Sequence, residues 1–268
     1  MKLIIKTLQN TQLGTIELPE QFSEPVRPDL IVRAVQAMQA NERQPYGADP
    51  RAGHKASAEV SRRRRNYRGS YGHGISRVPR KVMSRRGTRF NWLGAVAPGT
   101  VKGRQAHPPK AEKKWKHKMN TQEKKKAIRS ALAATVHKEL VASRGHHVPA
   151  DYPFIVESRI ESLAKTKEVQ KTLNNLGLTL DLARAKERTI NAGKAKRRNR
   201  KYKTKVSALL VVANKCTLLK SARNVPGITI MPVASLNAQA LAPGCHPGRL
   251  TIFTQGAIEK LQKEKLFM

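Results

Sequence analysis

Acidic residues are what this chain of 268 residues has least of: 18 Asp and Glu stand against 53 Lys and Arg, a formal net charge of +35. From Val60 to Ala111, fifty-two consecutive residues contain no acid, while fourteen of them are Lys or Arg. Such a stretch cannot bury enough apolar surface to offset its ordering entropy, and its like charges repel. It is expected to order only against a polyanion. Aromatics are scarce too, at 4%, which leaves the core to Ala, Val, Ile and Leu. Two cysteines, Cys216 and Cys245, form no framework and fit a reducing cytoplasm. No window approaches the ~18 apolar residues of a bilayer span, and no basic amphipathic helix carries Trp, Phe or Leu on its other face. No membrane partner is expected, and the apolar run at the N-terminus is too short for a signal peptide.

Catalytic signatures are missing as well. There is no GxxxxGK[ST], so the phosphate cradle of a nucleotide hydrolase is absent. There is no GxSxG, and acids near the basic regions are too sparse to hold the metal ions of a nuclease. Gly72-His73-Gly74 follows no apolar strand and opens no helix, so it is not a dinucleotide loop. The eight histidines include two suggestive neighbours, His146-His147 and Cys245-His246, but not the spacings metal sites need. They are expected at the surface or on RNA. No cofactor, no metal and no catalytic residue is expected.

What the chain has is positive charge in two blocks. Arg51 to Arg129 holds twenty-four bases and three acids, and Arg184 to Lys205 holds eleven bases and one acid. Charge on this scale implies a polyanionic partner. In the first block Arg62, Arg63, Arg64 and Arg65 lie beside Tyr67 and Arg68. Beyond Gly69-Ser70-Tyr71-Gly72-His73-Gly74 come Arg77, Arg80, Lys81, Arg85, Arg86, Arg89 and then Phe90 and Trp92, with Lys102, Arg104 and His107 further on. Guanidinium forks pair with two phosphate oxygens and stack on bases, and Tyr67, Tyr71 and Trp92 offer faces for unstacked bases. The second block, around Gly193 with Lys194, Lys196, Arg197, Arg198, Arg200 and Lys201, reads as a phosphate-binding loop that positions without reading sequence.

Outside the blocks, periodicity predicts a hairpin over residues 2–18 and a helix from Pro28-Asp29 that stops before Gln44-Pro45. Residues 45–109 form one long excursion. A helix then begins after Asn120, with Glu123 completing a variant capping box, and carries Ile128, Leu132, Val136 and Leu140 towards a cap at Gly145. Strands follow at Phe154–Val156, Ser207–Ala213, Ile228–Val233 and Leu250–Phe253. Helices are expected at Thr166–Leu176, Leu218–Asn224, Ser235–Ala240 and from Gly256 to about Lys265. Alternating strands and helices predict a mainly parallel sheet covered on both faces. The division is a single globular α/β domain over 1–44 and 110–268, and an extended basic loop over 45–109.

Several segments carry a likeness beyond pattern: residues 191–203, Ala222-Arg-Asn-Val-Pro-Gly-Ile-Thr229 and Leu241-Ala-Pro-Gly-Cys-His-Pro-Gly-Arg-Leu250. Ser76-Arg-Val-Pro-Arg80, Gly103-Arg-Gln-Ala-His-Pro-Pro109 and Arg129-Ser-Ala-Leu-Ala-Ala134 add to them. In this order they resemble the family of the fourth protein of the large ribosomal subunit, in its archaeal and eukaryotic branch. The shortness after Phe253 is most like archaeal members. The resemblance implies a three-layer α/β/α domain with a mainly parallel four-stranded sheet, plus a long extended RNA-binding loop lining the polypeptide exit tunnel. It implies large-subunit rRNA, neighbouring large-subunit ribosomal proteins and the nascent polypeptide as partners, in the cytoplasmic ribosome. Fifty-two residues doubled back reach at most ~85 Å at ~3.3 Å per residue.

By the family's pattern the tip comprises Arg68, Gly69, Ser70, Tyr71, Gly72, His73 and Gly74, with Arg77 and Arg80 in the returning arm. Ile75 and Ser76 stand where relatives often have Arg after Gly-x-Gly, leaving Arg68, Tyr71 and His73 as the candidates for the side chain that narrows a tunnel. Cys245 occupies a usual glycine position, which reduces backbone freedom there. An alternative function, also suggested by relatives, is repression of its own messenger RNA by the free protein.

Overall fold

The computed structural model describes residues 1–268. In chain order the elements are strands β1 (Lys2–Lys6) and β2 (Gln12–Glu17), helix α1 (Pro28–Glu42), and strands β3 (Arg80–Arg86) and β4 (Arg89–Gly94). Helices α2 (Thr121–Val136) and α3 (Lys138–Ser143), strand β5 (Phe154–Val156), and helices α4 (Thr166–Asn175) and α5 (Thr179–Lys186) follow. Strands β6 (Arg188–Ile190), β7 (Tyr202–Thr204) and β8 (Leu209–Val212) precede helix α6 (Leu218–Ser221) and strand β9 (Thr229–Pro232). Helix α7 (Ala238–Leu241), strand β10 (Thr251–Thr254) and helix α8 (Gln255–Lys263) complete the chain. It divides into two units, one of Met1–Glu42 with Lys116–Met268 and the other of Arg43–Trp115.

The first unit is built on a six-stranded sheet of order β2-β1-β5-β10-β8-β9. Every neighbouring pair is parallel except β1 with β2. Four strands are expected from the sequence; the two extra ones are the N-terminal hairpin, which joins the sheet edge as Ile4 pairs with Phe154 and Ile5 with Ile155. The reason is burial. Leu3 and Ile5 are covered in the sheet, whereas a free two-stranded hairpin would leave them in water.

Alternation along the strands divides the core into two layers. Ile155, Leu209, Val211 and Phe253 face one side, where α1, α2, α7 and α8 supply Val35, Leu132, Leu241 and Ile258. Phe154, Val156, Leu210, Val212 and Ile252 face the other, against Val141 of α3, Leu173 of α4 and Leu218 of α6. Strands buried on both faces explain the unbroken apolar run of Ser207–Ala213. Each such side chain contributes roughly 1.5–3 kcal/mol through burial.

Local details depart from expectation. Asn120 occupies the N-cap of α2 but its side chain makes no capping hydrogen bond; Glu123 pairs with Arg33 at 2.8 Å instead. The helix expected to run on to Gly145 breaks at His137 into α2 and α3. The Thr135 carbonyl, which a continuing helix would spend on its own next turn, accepts from the buried Tyr152 hydroxyl. Cys245 adopts a left-handed backbone (φ 71°) beside Gly244 (φ 76°), a conformation that glycine takes without the steric cost a side chain carries.

Candidate nucleic-acid interface

The second unit begins at an aromatic neck. The Tyr46 and Trp115 rings stack at 5.5 Å, with the Arg43 guanidinium 4.1 Å and the Lys113 ammonium 4.6 Å from the Trp115 ring. The Trp115 indole N–H is buried without a hydrogen-bond partner, so stacking and cation contacts alone hold the ring. Inside the neck the outgoing and returning strands run side by side: Ala48 N donates to the Pro109 carbonyl at 2.8 Å. Gly47 passes so close to Ala111, and Gly53 to Gly103 and Arg104, that a Cβ on either would overlap the opposite backbone. Those two glycines are there for close approach.

Beyond them the acid-free stretch is more structured than a plain excursion. Residues 80–94 form an antiparallel hairpin, β3 with β4, turning at Gly87-Thr88 and bulged at Met83. Phe90 and Trp92 share one face of β4, as i and i+2 must, and stack at 5.1 Å. Residues 61–75 fold back on themselves: Ser61 bridges to Gly69, Asn66 Nδ2 donates to Ser61 Oγ at 2.9 Å, and Tyr67 meets Phe90 edge-on at 5.4 Å. Arg85 donates to the Tyr67 hydroxyl. Arginines lie over the rings, Arg77 over Tyr71 at 4.4 Å and Arg80 over Trp92 at 5.4 Å. The aromatics expected to meet bases thus meet one another and arginine first. Within the implied tip, Ser70 is buried, Gly69 and Tyr71 are half-buried, and Arg68, Gly72, His73 and Gly74 are exposed.

The second basic block is a ribbon, β6 paired with β7, around a turn at Gly193–Arg198 that closes through a left-handed Asn199. Lys194, Lys196, Arg197, Arg198, Arg200 and Lys201 are all exposed. In the first block Arg62–Arg65, Tyr67, Arg68, Arg77, Arg85, Arg86, Arg89, Lys102, Arg104 and His107 are exposed, while Arg80, Lys81 and Trp92 are half-buried. None of these candidate residues forms an ion pair; the one pair in the second unit is Lys55 with Asp49 at 2.9 Å. Sequence reasoning missed the neck residues Arg43, Tyr46, Lys113 and Trp115. The available signal was two of the chain's few aromatics, each near a base and flanking the acid-free stretch.

The histidine expectation fails at His146, which is buried against Asp181. The Asp181 carboxylate accepts from Arg184 Nε at 3.0 Å, from the His147 backbone N–H at 3.2 Å and from the Ser207 hydroxyl, with His146 Nδ1 3.3 Å away. Burial pushes its pKa up, but hydrogen bonds from His146 and Ser207 and the charges of His146 and Arg184 outweigh burial and hold it at about 2. A Ser, a His and an Asp therefore meet, yet the buried hydroxyl donates to the carboxylate, so the imidazole is not its base.

Nearby, Arg249 is buried and donates to the Ser207 carbonyl (3.0 Å), the Ala240 carbonyl (2.8 Å) and Thr229 Oγ1 (2.7 Å). Burial, with Arg144 beside it, lowers its pKa to about 10. Arg144 donates to the carbonyls of Pro243 and His246. These two arginines lock the segment 241–250 to the fold, which gives that motif a structural role.

Comparison with known proteins adds the following. The family model described as "Ribosomal protein L4/L1 family" matches residues 16–264. The chain is 48% identical over 268 residues, all of both chains, to the large ribosomal subunit protein uL4 of Nanoarchaeum equitans. It is 44% identical to the protein of that name from Archaeoglobus fulgidus, covering 97% of this chain and 98% of the relative. To that of Halobacterium salinarum it is 43% identical, covering 97% and 99%.

Proposed function

The chain belongs to the ribosomal protein L4/L1 family, and we propose that it organises large-subunit rRNA through its acid-free excursion, which lines the polypeptide exit tunnel. Its role is that of a structural, non-enzymatic constituent of the large ribosomal subunit, in line with the name its relatives carry. Neighbouring ribosomal proteins and the nascent polypeptide are its further partners. The observation that carries this reading is the set of unpaired cations. The candidate bases within the two blocks, from Arg62 to Arg104 and from Lys194 to Lys201, have no acidic partner inside the chain, and all but Arg80 and Lys81 are exposed; rRNA phosphates supply what the chain withholds. The neck and the paired arms present the excursion as a closed segment with both ends anchored. Its hairpin and back-folded turn shorten its reach below that of a fully extended loop.

Washing purified large subunits at moderate salt tests the proposal. The protein should stay on the subunit, because an excursion threaded through RNA cannot leave by exchanging counterions alone. Complete release at moderate salt contradicts threading.

A second reading, repression of its own messenger RNA by the free protein, is favoured by one observation. The basic β6–β7 ribbon belongs to the globular unit and needs nothing from the excursion. Under that reading, deleting residues 60–108 leaves messenger binding intact.

A further inference from the structure

The excursion contains a cleft of about 430 Å³ between the back-folded segment 66–75 and the hairpin β3–β4. Its wall is aromatic: Tyr67, Phe90 and Trp92 line it in edge-on and stacked contact. Its rim carries Arg68 and Arg89, both exposed and free of any ion pair. The volume falls within the ~300–1,000 Å³ of small-ligand clefts, room for one nucleotide and far too little for a duplex. The wall is preformed, since Arg85 holds the Tyr67 hydroxyl and Asn66 is tied to Ser61.

We propose that this cleft holds a single unstacked nucleobase of RNA, seated against Tyr67, Phe90 and Trp92, with its flanking phosphates on Arg68 and Arg89. A π-surface with cations at its edge fits a base and its phosphates and fits little else. The Thr88 hydroxyl and the His73 ring, also in the lining, make no hydrogen bond within the chain and remain available to the edge of the base. A free nucleoside polyphosphate is the weaker occupant. The glycines at 72 and 74 open no helix, so nothing cradles a phosphate chain, whereas a polymer also reaches Arg62–Arg65, Arg85 and Arg86. The inference rests on the reading of the excursion as an RNA-binding segment and adds one specific contact to it.

The test uses the full chain in solution and two RNA hairpins of equal length, one fully paired and one with a single bulged 2-aminopurine. The bulged RNA should bind roughly tenfold tighter, the size expected of one stacked base, and its fluorescence should be quenched. Tyr67→Leu and Phe90→Leu, made separately so that misfolding of one does not decide the matter, should each remove most of that advantage while leaving the salt dependence unchanged. Arg62→Gln should weaken both RNAs equally. Equal affinity for the two hairpins, with a steep salt slope, overturns the cleft assignment and leaves the RNA-binding reading standing. A shallow slope with both overturns that reading as well. Adenosine monophosphate binding as tightly as the bulged RNA overturns the assignment to RNA.

Discussion

The two units treat the same residue types in opposite ways. In the globular unit, outside the β6–β7 ribbon, cations that reach the core or its edge are spoken for: Lys6 pairs with Asp151 at 2.8 Å, Arg129 with Glu24 at 2.9 Å, Arg184 with Asp181 at 2.9 Å, and Arg249 donates to carbonyls and a threonine. In the excursion there is one ion pair near its base, and arginines lie over aromatic rings or face solvent. The difference follows from acid supply. Where acids exist, Arg becomes a cross-link of the fold; where they are absent, it keeps its charge for an external partner. Position in the chain, more than residue type, decides which.

The sharpest way to break this contrast is to replace residues 60–108 with a short Gly-Ser linker. Thirteen bases go with them. If each neutralises one phosphate, the slope of log K against log salt on single-stranded RNA becomes shallower by about 9, at ~0.7 per contact. Filter-binding titrations at 50 and 200 mM salt read this as a loss of more than a thousandfold at the lower salt. The melting temperature of the globular unit should not move. A large fall in melting temperature would mean the excursion supports the fold.

Asp181→Ala is the reciprocal test. It leaves the half-buried Arg184 without its counter-charge and the buried His146 and Ser207 without their partner, and denaturant titration should record a loss of about 3 kcal/mol. RNA affinity per folded molecule should stay the same.

The same carboxylate makes a smaller, pH-resolved contribution. Its folded pKa of about 2 lies below the ordinary value of 3.8. The resulting stability, about 2 kcal/mol, is fully present above pH ~4 and lost as pH falls towards 2. Asp181→Asn should flatten this part of the acid limb in a chemical-denaturation series. An unchanged acid limb would mean the site is not held ionised. At the small end, Arg62→Gln should alter stability by less than about 0.5 kcal/mol while lowering the salt slope by about 1.

How far the sequence disclosed these features depends on the range over which each is encoded. The strands Phe154–Val156 and Leu209–Val212 and the helix Pro28–Glu42 were legible, because apolar runs and 3.6-residue spacing are local signals. The hairpin of residues 2–18 was legible too, but its place at the sheet edge was not, since Ile4 meets Phe154 across 150 residues. The break at His137 depends on Tyr152 claiming a carbonyl, again a tertiary event.

The candidate interface was largely visible as composition. The alternation in Arg89–Gly94, half-buried at every second residue, was a period-2 signal that the density of charge obscured. In the Asp181 cluster only the pairing with Arg184, three residues on, is local; His146 and Ser207 lie 35 and 26 residues away, and His146 looked like any surface histidine beside its neighbour.

The central claim is that the acid-free excursion, and not the globular unit alone, is embedded in rRNA. Density for residues 60–110 in an assembled large subunit tests it most directly. The account predicts those residues enclosed by RNA, with Arg62–Arg65, Arg85 and Arg86 against phosphates and the segment 68–74 at the tunnel wall. Finding residues 60–110 on the solvent side of the subunit, away from RNA, would contradict it.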